Sequence, residues 1–188
     1  MSSPHRSPDP RSGLVLDTHD LGRRAGAMKV VRTTVPAPAD LGIDVIGVPP
    51  SSPIRLDLRL ESVVEGVLVT GTATVEVRGE CVRCLGVVSE VRGVDIQELY
   101  VYPGSEATAE EASRLEGDLL DLEPVLRDDV VLDLPFQPLC RADCRGLCAE
   151  CGADLNSRPD HAHEQQVDPR WVKLRVLEGG GFGGSYDE

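Results

Sequence analysis

The stretch Pro138–Asn156 constrains the fold of this chain more than any other, because it holds four of the six cysteines. These four are Cys140, Cys144, Cys148 and Cys151. The C-x2-C half is followed by Gly152, a residue that tolerates the positive φ angle of a tight turn. Such a pair can direct two sulfurs at one metal ion, and the C-x3-C half could supply two more. We therefore predict a tetrahedral all-sulfur site for one structural Zn²⁺ ion.

A second C-x2-C pair, Cys81 and Cys84, leaves an alternative ligand set open. In that alternative the pair joins Cys148 and Cys151, as the two knuckles of a zinc ribbon. We favour the local set of four, because it closes without long-range contacts. It would also hold in shape a segment that has little apolar content of its own.

The cellular compartment bears on the choice between metal and disulfides. The polar, proline-rich N-terminus lacks the apolar core of a secretory signal. No run approaches the ~20 apolar residues that span a bilayer. We expect a cytoplasmic protein without a membrane partner, where thiols stay reduced and clustered cysteines bind metal more often than they form disulfides.

The chain carries a net charge of −13. This weighs against a protein that binds nucleic acid mainly through phosphates, since such a protein needs a basic face. Residues 103–134 alone hold ten acidic residues and two arginines. An acidic face of this kind can attract a basic protein.

The region after residue 43 has the pattern of β-strands. Residues 54–61 alternate apolar and charged side chains, and residues 67–78 alternate valine or small residues with threonine and charged ones. The short connection between them predicts an antiparallel hairpin. Further strands are expected at 85–91 and 97–102, which places Cys81 and Cys84 at a turn of a β-meander.

A helix is expected at 122–134, with Pro124 in its first turn and Pro135 after its end. We therefore predict an α+β fold: an antiparallel β-meander body with a packed helix, followed by a small zinc-binding module. The expected boundaries are a disordered tail at 1–13, the body at 14–135 with an acidic loop at 103–117, the zinc module and a short C-terminal helix at 136–178, and a Gly-rich flexible tail at 179–188.

No catalytic motif emerges from the chain. It lacks a phosphate-binding glycine loop, a G-x-S-x-G motif and an H-E-x-x-H motif. His161 and His163 could replace a cysteine as ligand, but their loop context and close spacing favour surface histidines. A site with four cysteine ligands is coordinatively closed, which argues against catalytic zinc. We expect a protein that is not an enzyme and has no small-molecule substrate.

Three segments together resemble one known family. They are Leu58–Leu85 with its G-E-C-x-R-C motif, Gly117–Pro135 with D-L-x-P, and the pattern C-x-x-D-C-x-G-L-C-x-x-C-G-x-x-L. Their order is similar to that of the YceD family, bacterial and plastid proteins associated with accumulation of large-subunit (23S) ribosomal RNA. The likeness covers about residues 14–177.

The resemblance implies a non-enzymatic factor of ribosome biogenesis that supports synthesis, processing or accumulation of 23S ribosomal RNA. Its partner would be large-subunit ribosomal RNA, a precursor of it, or a basic ribosomal protein. The candidate contact residues are Arg23, Arg24, Lys29, Arg32 and Arg83. The alternatives are a zinc-binding adaptor unrelated to ribosomes and a metal-dependent RNA-processing enzyme.

Overall fold

The computed structural model describes residues 8–105 and 113–163. Within these ranges the chain forms eight β-strands and one α-helix, and a short 3-10 helix spans His19–Leu21. The strands are β1 (Val15–Asp17), β2 (Met28–Pro36), β3 (Leu41–Ile43), β4 (Ile46–Val48), β5 (Pro53–Ser62), β6 (Gly66–Glu80), β7 (Val87–Val101) and β8 (Leu119–Asp121). The helix, α1, spans Glu123–Asp133.

The main sheet is antiparallel and is built around β6. This strand pairs with β7 along its whole length, with β5 over its first part, and with β4 near its end. Strand β2 extends the sheet beyond β5, and β3 extends it beyond β4. Strands β1 and β8 form a separate two-stranded sheet. Because β6 and β7 are consecutive, the turn between them carries the Cys81–Cys84 pair at one end of the sheet.

One face of the sheet is buried, as the period-2 alternation requires. The leucines and isoleucine of β5 and the valines of β6 lie in the core, opposite exposed or half-exposed polar residues. Helix α1 packs against β7 and β3 and buries Leu126 and Val130. The Tyr100 hydroxyl donates to the Asp121 carbonyl at 2.8 Å, and Arg92 of β7 pairs with Asp133 of α1. The helix is thereby fixed to the strand that follows the cysteine turn.

The predicted α+β class, with an antiparallel sheet and one helix, is confirmed. The expectation of two separate strands at 85–91 and 97–102 is wrong, because β7 runs unbroken from Val87 to Val101. Its partner β6 offers backbone hydrogen bonds over the same length, and Val94 and Ile96 between the two expected strands are buried. The predicted helix at 122–134 is found as α1.

The chain divides into two compact units, Met1–Gly146 and Leu147–Glu188. The first unit ends eleven residues beyond the expected boundary at residue 135, because the segment with Cys140 and Cys144 belongs to the β-rich unit. The predicted C-terminal helix and tail lie outside the described residues, as do residues 1–7 and 106–112 of the expected tail and loop. No helix in the described ranges has the length and apolar character to span a membrane.

Candidate metal centres

The turn between β6 and β7 is a tight knuckle that presents Cys81 and Cys84. The Leu85 amide donates to the Cys81 carbonyl and the Cys81 amide to the Gly86 carbonyl, both at 2.8 Å. Leu85 has a φ of +60°, in the left-handed region that a non-glycine residue rarely adopts. These two hydrogen bonds close the turn and place both thiols on one side of it.

A loop after α1 brings two more cysteines to this knuckle. The Val82 amide donates to the Pro138 carbonyl at 3.0 Å, and the Arg83 guanidinium donates to the Cys144 carbonyl at 2.8 Å. Gly146 lies so close to Arg83 that a Cβ at Gly146 would be 2.8 Å from the Arg83 carbonyl oxygen. The knuckle and the loop are therefore held together by backbone contacts on both sides of the cysteines.

The four sulfurs of this first centre converge. Cys81, Cys84, Cys140 and Cys144 have sulfurs within 4.8 Å of one another. The Sγ–Sγ distance is 3.8 Å between Cys81 and Cys144 and 3.6 Å between Cys84 and Cys140. Four sulfurs bound to zinc at ~2.3 Å in a tetrahedron would be about 3.8 Å apart. None of the six cysteines, all of which lie in the described ranges, forms a disulfide. The four sulfurs of the first centre therefore have the spacing of metal ligands.

Backbone amides favour the thiolate at the first position of the knuckle. Hydrogen bonding from the backbone of Cys140, with smaller contributions from Cys84 and Arg83, lowers the pKa of Cys81 to about 6. The neighbouring Cys84 thiol raises the pKa of Cys140 to about 12. Metals bind thiolates, so a cation in this centre would favour deprotonation of Cys140, whose pKa is raised by hydrogen bonding with Cys84 and by burial.

A second knuckle, at Cys148–Ala153, repeats the first one in its backbone pattern. The Gly152 amide donates to the Cys148 carbonyl and the Cys148 amide to the Ala153 carbonyl, again both at 2.8 Å. Gly152 has a φ of +71°. The pKa of Cys148 is lowered to about 6, chiefly by hydrogen bonding from the backbone of Cys151. The second C-x2-C pair is thus shaped to bind the same kind of ligand as the first.

Successive turns bring two histidines to the second knuckle. The Asp154 carboxylate accepts from the Asn156 amide, the Arg158 amide donates to the Asp154 carbonyl, and the His161 amide donates to the Arg158 carbonyl. His161 Nε2 is 3.2 Å from the Cys151 sulfur, and His163 Nε2 is 3.3 Å from the Cys148 sulfur. These two cysteines and two histidines form a second group of potential metal ligands.

This grouping differs from both ligand sets predicted from the sequence. The four clustered cysteines are divided: Cys140 and Cys144 lie with Cys81 and Cys84, whereas Cys148 and Cys151 lie with the histidines. The zinc-ribbon alternative combines the two C-x2-C pairs, which belong to different groups. The physical reason is the contact of Arg83 with Cys144 and Gly146, which ties the C-x3-C half to the β6–β7 knuckle.

The interpretation of His161 and His163 as surface histidines missed their position beside the cysteines. His161 is only partly buried and His163 is exposed, so neither has the burial that is typical of a core histidine. The signal in the sequence was the C-x2-C pair followed ten residues later by H-x-H, since that separation allows the chain to turn back on itself. The prediction considered them as replacements for one cysteine and not as half of a separate site.

Four of the five predicted contact residues have side-chain partners within the fold. Lys29 pairs with Asp20, Arg32 pairs with Asp57, and the Arg23 guanidinium lies 4.9 Å from the centre of the Tyr102 ring. Arg83 donates to the first centre, as described above, and Arg24 is exposed. A role of these residues in partner binding stays a prediction.

Comparison with known proteins identifies relatives of this chain in two bacteria. An uncharacterized protein of Mycobacterium tuberculosis is 48% identical over 175 residues, covering 89% of this chain and 83% of that protein. YlbN of Bacillus subtilis, also uncharacterized, is 24% identical over 128 residues, covering 67% of this chain and 74% of YlbN. No solved structure matches the chain.

A plant protein in this group has a functional name. The large ribosomal RNA subunit accumulation protein YCED homolog 1, chloroplastic, of Arabidopsis thaliana is 31% identical over 58 residues, which is 31% of this chain and 18% of the plant protein. Residues 69–178 match the family described as Large ribosomal RNA subunit accumulation protein YceD, and this range contains all eight grouped cysteines and histidines. The chain belongs to the YceD family.

Proposed function

We propose that this protein is a non-enzymatic factor of ribosome biogenesis that supports accumulation of 23S ribosomal RNA. Family membership carries the proposal, together with the name of the plant relative. The two groups of ligands agree with a non-enzymatic role, because in each of them the protein itself offers four donor atoms. A catalytic zinc site keeps a position for water or substrate.

The first centre would hold a structural Zn²⁺ ion. Its all-sulfur donor set is typical of structural zinc, and two of its four members, Cys81 and Cys144, are buried. The ion would link the β6–β7 turn to the loop after α1. It would thereby stabilise this end of the sheet.

Of the two kinds of partner, we favour a basic ribosomal protein over direct contact with RNA. The net charge of −13 opposes binding to phosphates. Moreover, Lys29 and Arg32, which were candidates for phosphate contact, are paired with carboxylates. The same negative charge attracts a basic protein and speeds its association. We expect this encounter in the cytoplasm.

Depletion of the protein from cells that produce it tests the ribosomal role. Mature 23S ribosomal RNA is expected to fall relative to 16S ribosomal RNA, with a loss of free and assembled large subunits in a sucrose gradient. Re-expression of the intact chain should restore the ratio. An unchanged ratio and gradient profile after depletion would refute the proposal.

Affinity capture of the intact protein from growing cells, with and without nuclease, identifies the partner. A basic large-subunit protein that stays bound after nuclease treatment supports the proposed contact. Recovery of 23S ribosomal RNA that is lost on nuclease treatment supports direct RNA binding instead. Recovery of neither would favour an adaptor unrelated to ribosomes.

A further inference from the structure

The segment Leu147–His163 has no hydrophobic core of its own. Each residue in it is exposed or only partly buried, and none belongs to the buried cluster of the protein. Its backbone is nevertheless ordered into a knuckle and a series of turns. A segment of this size and composition requires a staple such as a metal or a disulfide, and its two cysteines are free thiols.

The donor atoms in this segment converge as metal ligands do. The two sulfurs face the two Nε2 atoms at 3.2 and 3.3 Å, and the two Nε2 atoms are 2.9 Å apart. Zinc bonds of ~2.3 Å to sulfur and ~2.0 Å to nitrogen give separations of about 3.5 Å between sulfur and nitrogen in a tetrahedron. The imidazole rings meet edge to face, with their centroids 4.6 Å apart.

A carboxylate lies beside the second ring nitrogen of one of these histidines. Glu150 lies 3.4 Å from Nδ1 of His163, whose Nε2 faces the cysteines. Ligating histidines commonly donate their other ring N–H to a carboxylate, which fixes the tautomer and the ring orientation. Glu150 stands between the two cysteines in the sequence, so the knuckle provides both the sulfurs and the support for the ring.

We propose that Cys148, Cys151, His161 and His163 bind a second metal ion, separate from the one in the first centre. Two thiolates and two imidazoles select a borderline divalent cation, Zn²⁺, over Mg²⁺ or Ca²⁺, which prefer oxygen ligands. The ion supplies the folding free energy that this coreless segment lacks. The β-rich unit keeps its fold when this ion leaves, since it has its own hydrophobic core.

The second ion is also the more exchangeable one. All four of its ligands are exposed or only partly buried, whereas the first centre has two buried ligands, Cys81 and Cys144, beside the exposed Cys140. A chelator therefore reaches the second centre first. The fold of Leu147–His163 then depends on the concentration of free zinc, while the fold of the β-rich unit does not. This conclusion does not rest on the proposed ribosomal function.

Counting metal ions on the purified full chain tests the proposal. Native mass spectrometry with Zn²⁺ should show two ions per chain, one for each ligand group. The double variant His161→Ala/His163→Ala should hold one ion. The matched control His19→Ala changes an exposed histidine that pairs with Asp118, and it should keep both ions. A single ion on the intact chain, or two ions on the double variant, would overturn the proposal.

A cobalt spectrum separates loss of a ligand from loss of folding. Co²⁺ bound by four thiolates and Co²⁺ bound by two thiolates and two imidazoles absorb at different wavelengths. His163→Cys retains four donors, so it should keep two ions and shift only the mixed-ligand band. If His163→Cys leaves the spectrum unchanged, His163 is not a ligand and the proposed site is wrong.

Limited proteolysis during chelation tests the linkage to folding. Graded addition of a zinc chelator should expose cleavage sites within residues 147–163 while the first ion remains bound. The double variant His161→Ala/His163→Ala should be cleaved within residues 147–163 even without a chelator. Simultaneous loss of both ions, or no change in cleavage after loss of one, would contradict the linkage between the second ion and this segment.

Discussion

Leu85 and Gly152 occupy the same position in two knuckles with matching hydrogen bonds. Each residue follows the second cysteine of a C-x2-C pair, donates its amide to the carbonyl of the first cysteine at 2.8 Å, and has a positive φ angle. Only Gly152 is suited to that angle, since a side chain in the left-handed region crowds the following carbonyl. The first knuckle therefore holds a strained residue where the second holds a relaxed one.

Leu85→Gly is expected to stabilise the β-rich unit by about 0.5 kcal/mol. The substitution removes a left-handed strain of about 1–2 kcal/mol, and the entropy of glycine offsets about 0.5–1 kcal/mol of this gain. The Leu85 side chain is 63% exposed, so little burial is lost. Denaturant unfolding with saturating zinc measures the change. Leu85→Ala is the control, which keeps the strain and should not stabilise; a gain equal to that of Leu85→Gly would contradict the account.

Gly146→Ala should lower the free energy of unfolding more than Gly152→Ala does. Both glycines have positive φ angles, +79° and +71°. A Cβ at Gly146 meets the Arg83 carbonyl oxygen at 2.8 Å, whereas one at Gly152 meets nothing within 4 Å. The strain of φ costs each variant about 1 kcal/mol, and only Gly146→Ala adds a clash with backbone.

The readout for these two glycine variants is the free energy of unfolding at saturating zinc, with the ion count of each variant. Gly146→Ala should weaken the first centre and leave the second intact. Equal losses of stability in the two variants would mean that the approach of Gly146 to Arg83 is not a constraint on the fold.

Arg83→Ala is expected to lower the free energy of unfolding by roughly 0.5–1.5 kcal/mol, because it removes a part-buried hydrogen bond to the Cys144 carbonyl. Arg83 was a predicted contact residue, and its guanidinium donates to a residue of the first centre. Arg24→Ala is the matched control, since Arg24 is likewise exposed but is not joined to the first centre in the sequence or by the contacts above, and it should leave stability unchanged. Capture of the ribosomal partner by both variants then separates binding from folding. A stable Arg83→Ala variant would return Arg83 to the list of contact residues.

Glu150→Gln should weaken Zn²⁺ binding to the second centre by about tenfold, the usual effect of losing a carboxylate behind a ligating histidine. The change removes the charge near Nδ1 of His163 and keeps the shape of the side chain. Competition with a chromophoric chelator gives the affinity. Asp160→Asn is the control, because it removes an exposed carboxylate beside His161 in the sequence. An equal effect of both variants would indicate a general loss of negative charge.

The sheet and the helix could be predicted from the sequence, but the division of the cysteines into two groups of potential ligands could not. Alternation in residues 54–61 and 67–78 marked β5 and β6 because local burial imposes a period of two. Cys140 and Cys148 lie eight residues apart and still join different groups. That division depends on contacts of Arg83 with Cys144 and Gly146, which are more than sixty residues away along the chain. No local pattern reports such a contact.

Asp129→Asn is expected to raise the free energy of unfolding at pH 7 by about 1 kcal/mol, because it removes a charge from a partly buried carboxyl group that lacks a hydrogen-bond partner at Oδ2 among the described residues. Burial, together with the charges of Glu98 and Asp128, raises the pKa of Asp129. A raised pKa means that the folded state favours the protonated acid, so stability falls as the pH rises through this pKa. The benefit of Asp129→Asn should therefore shrink as the pH falls through the raised pKa of Asp129, and it should vanish below the normal range of an aspartate, where both states are protonated. Denaturant unfolding of the zinc-loaded protein across this pH range measures the change.

Asp128→Asn is the control, because it removes the same charge from the preceding residue of α1, which is exposed, and so relieves no burial. If Asp128→Asn stabilises as much as Asp129→Asn at every pH, burial of Asp129 carries no cost.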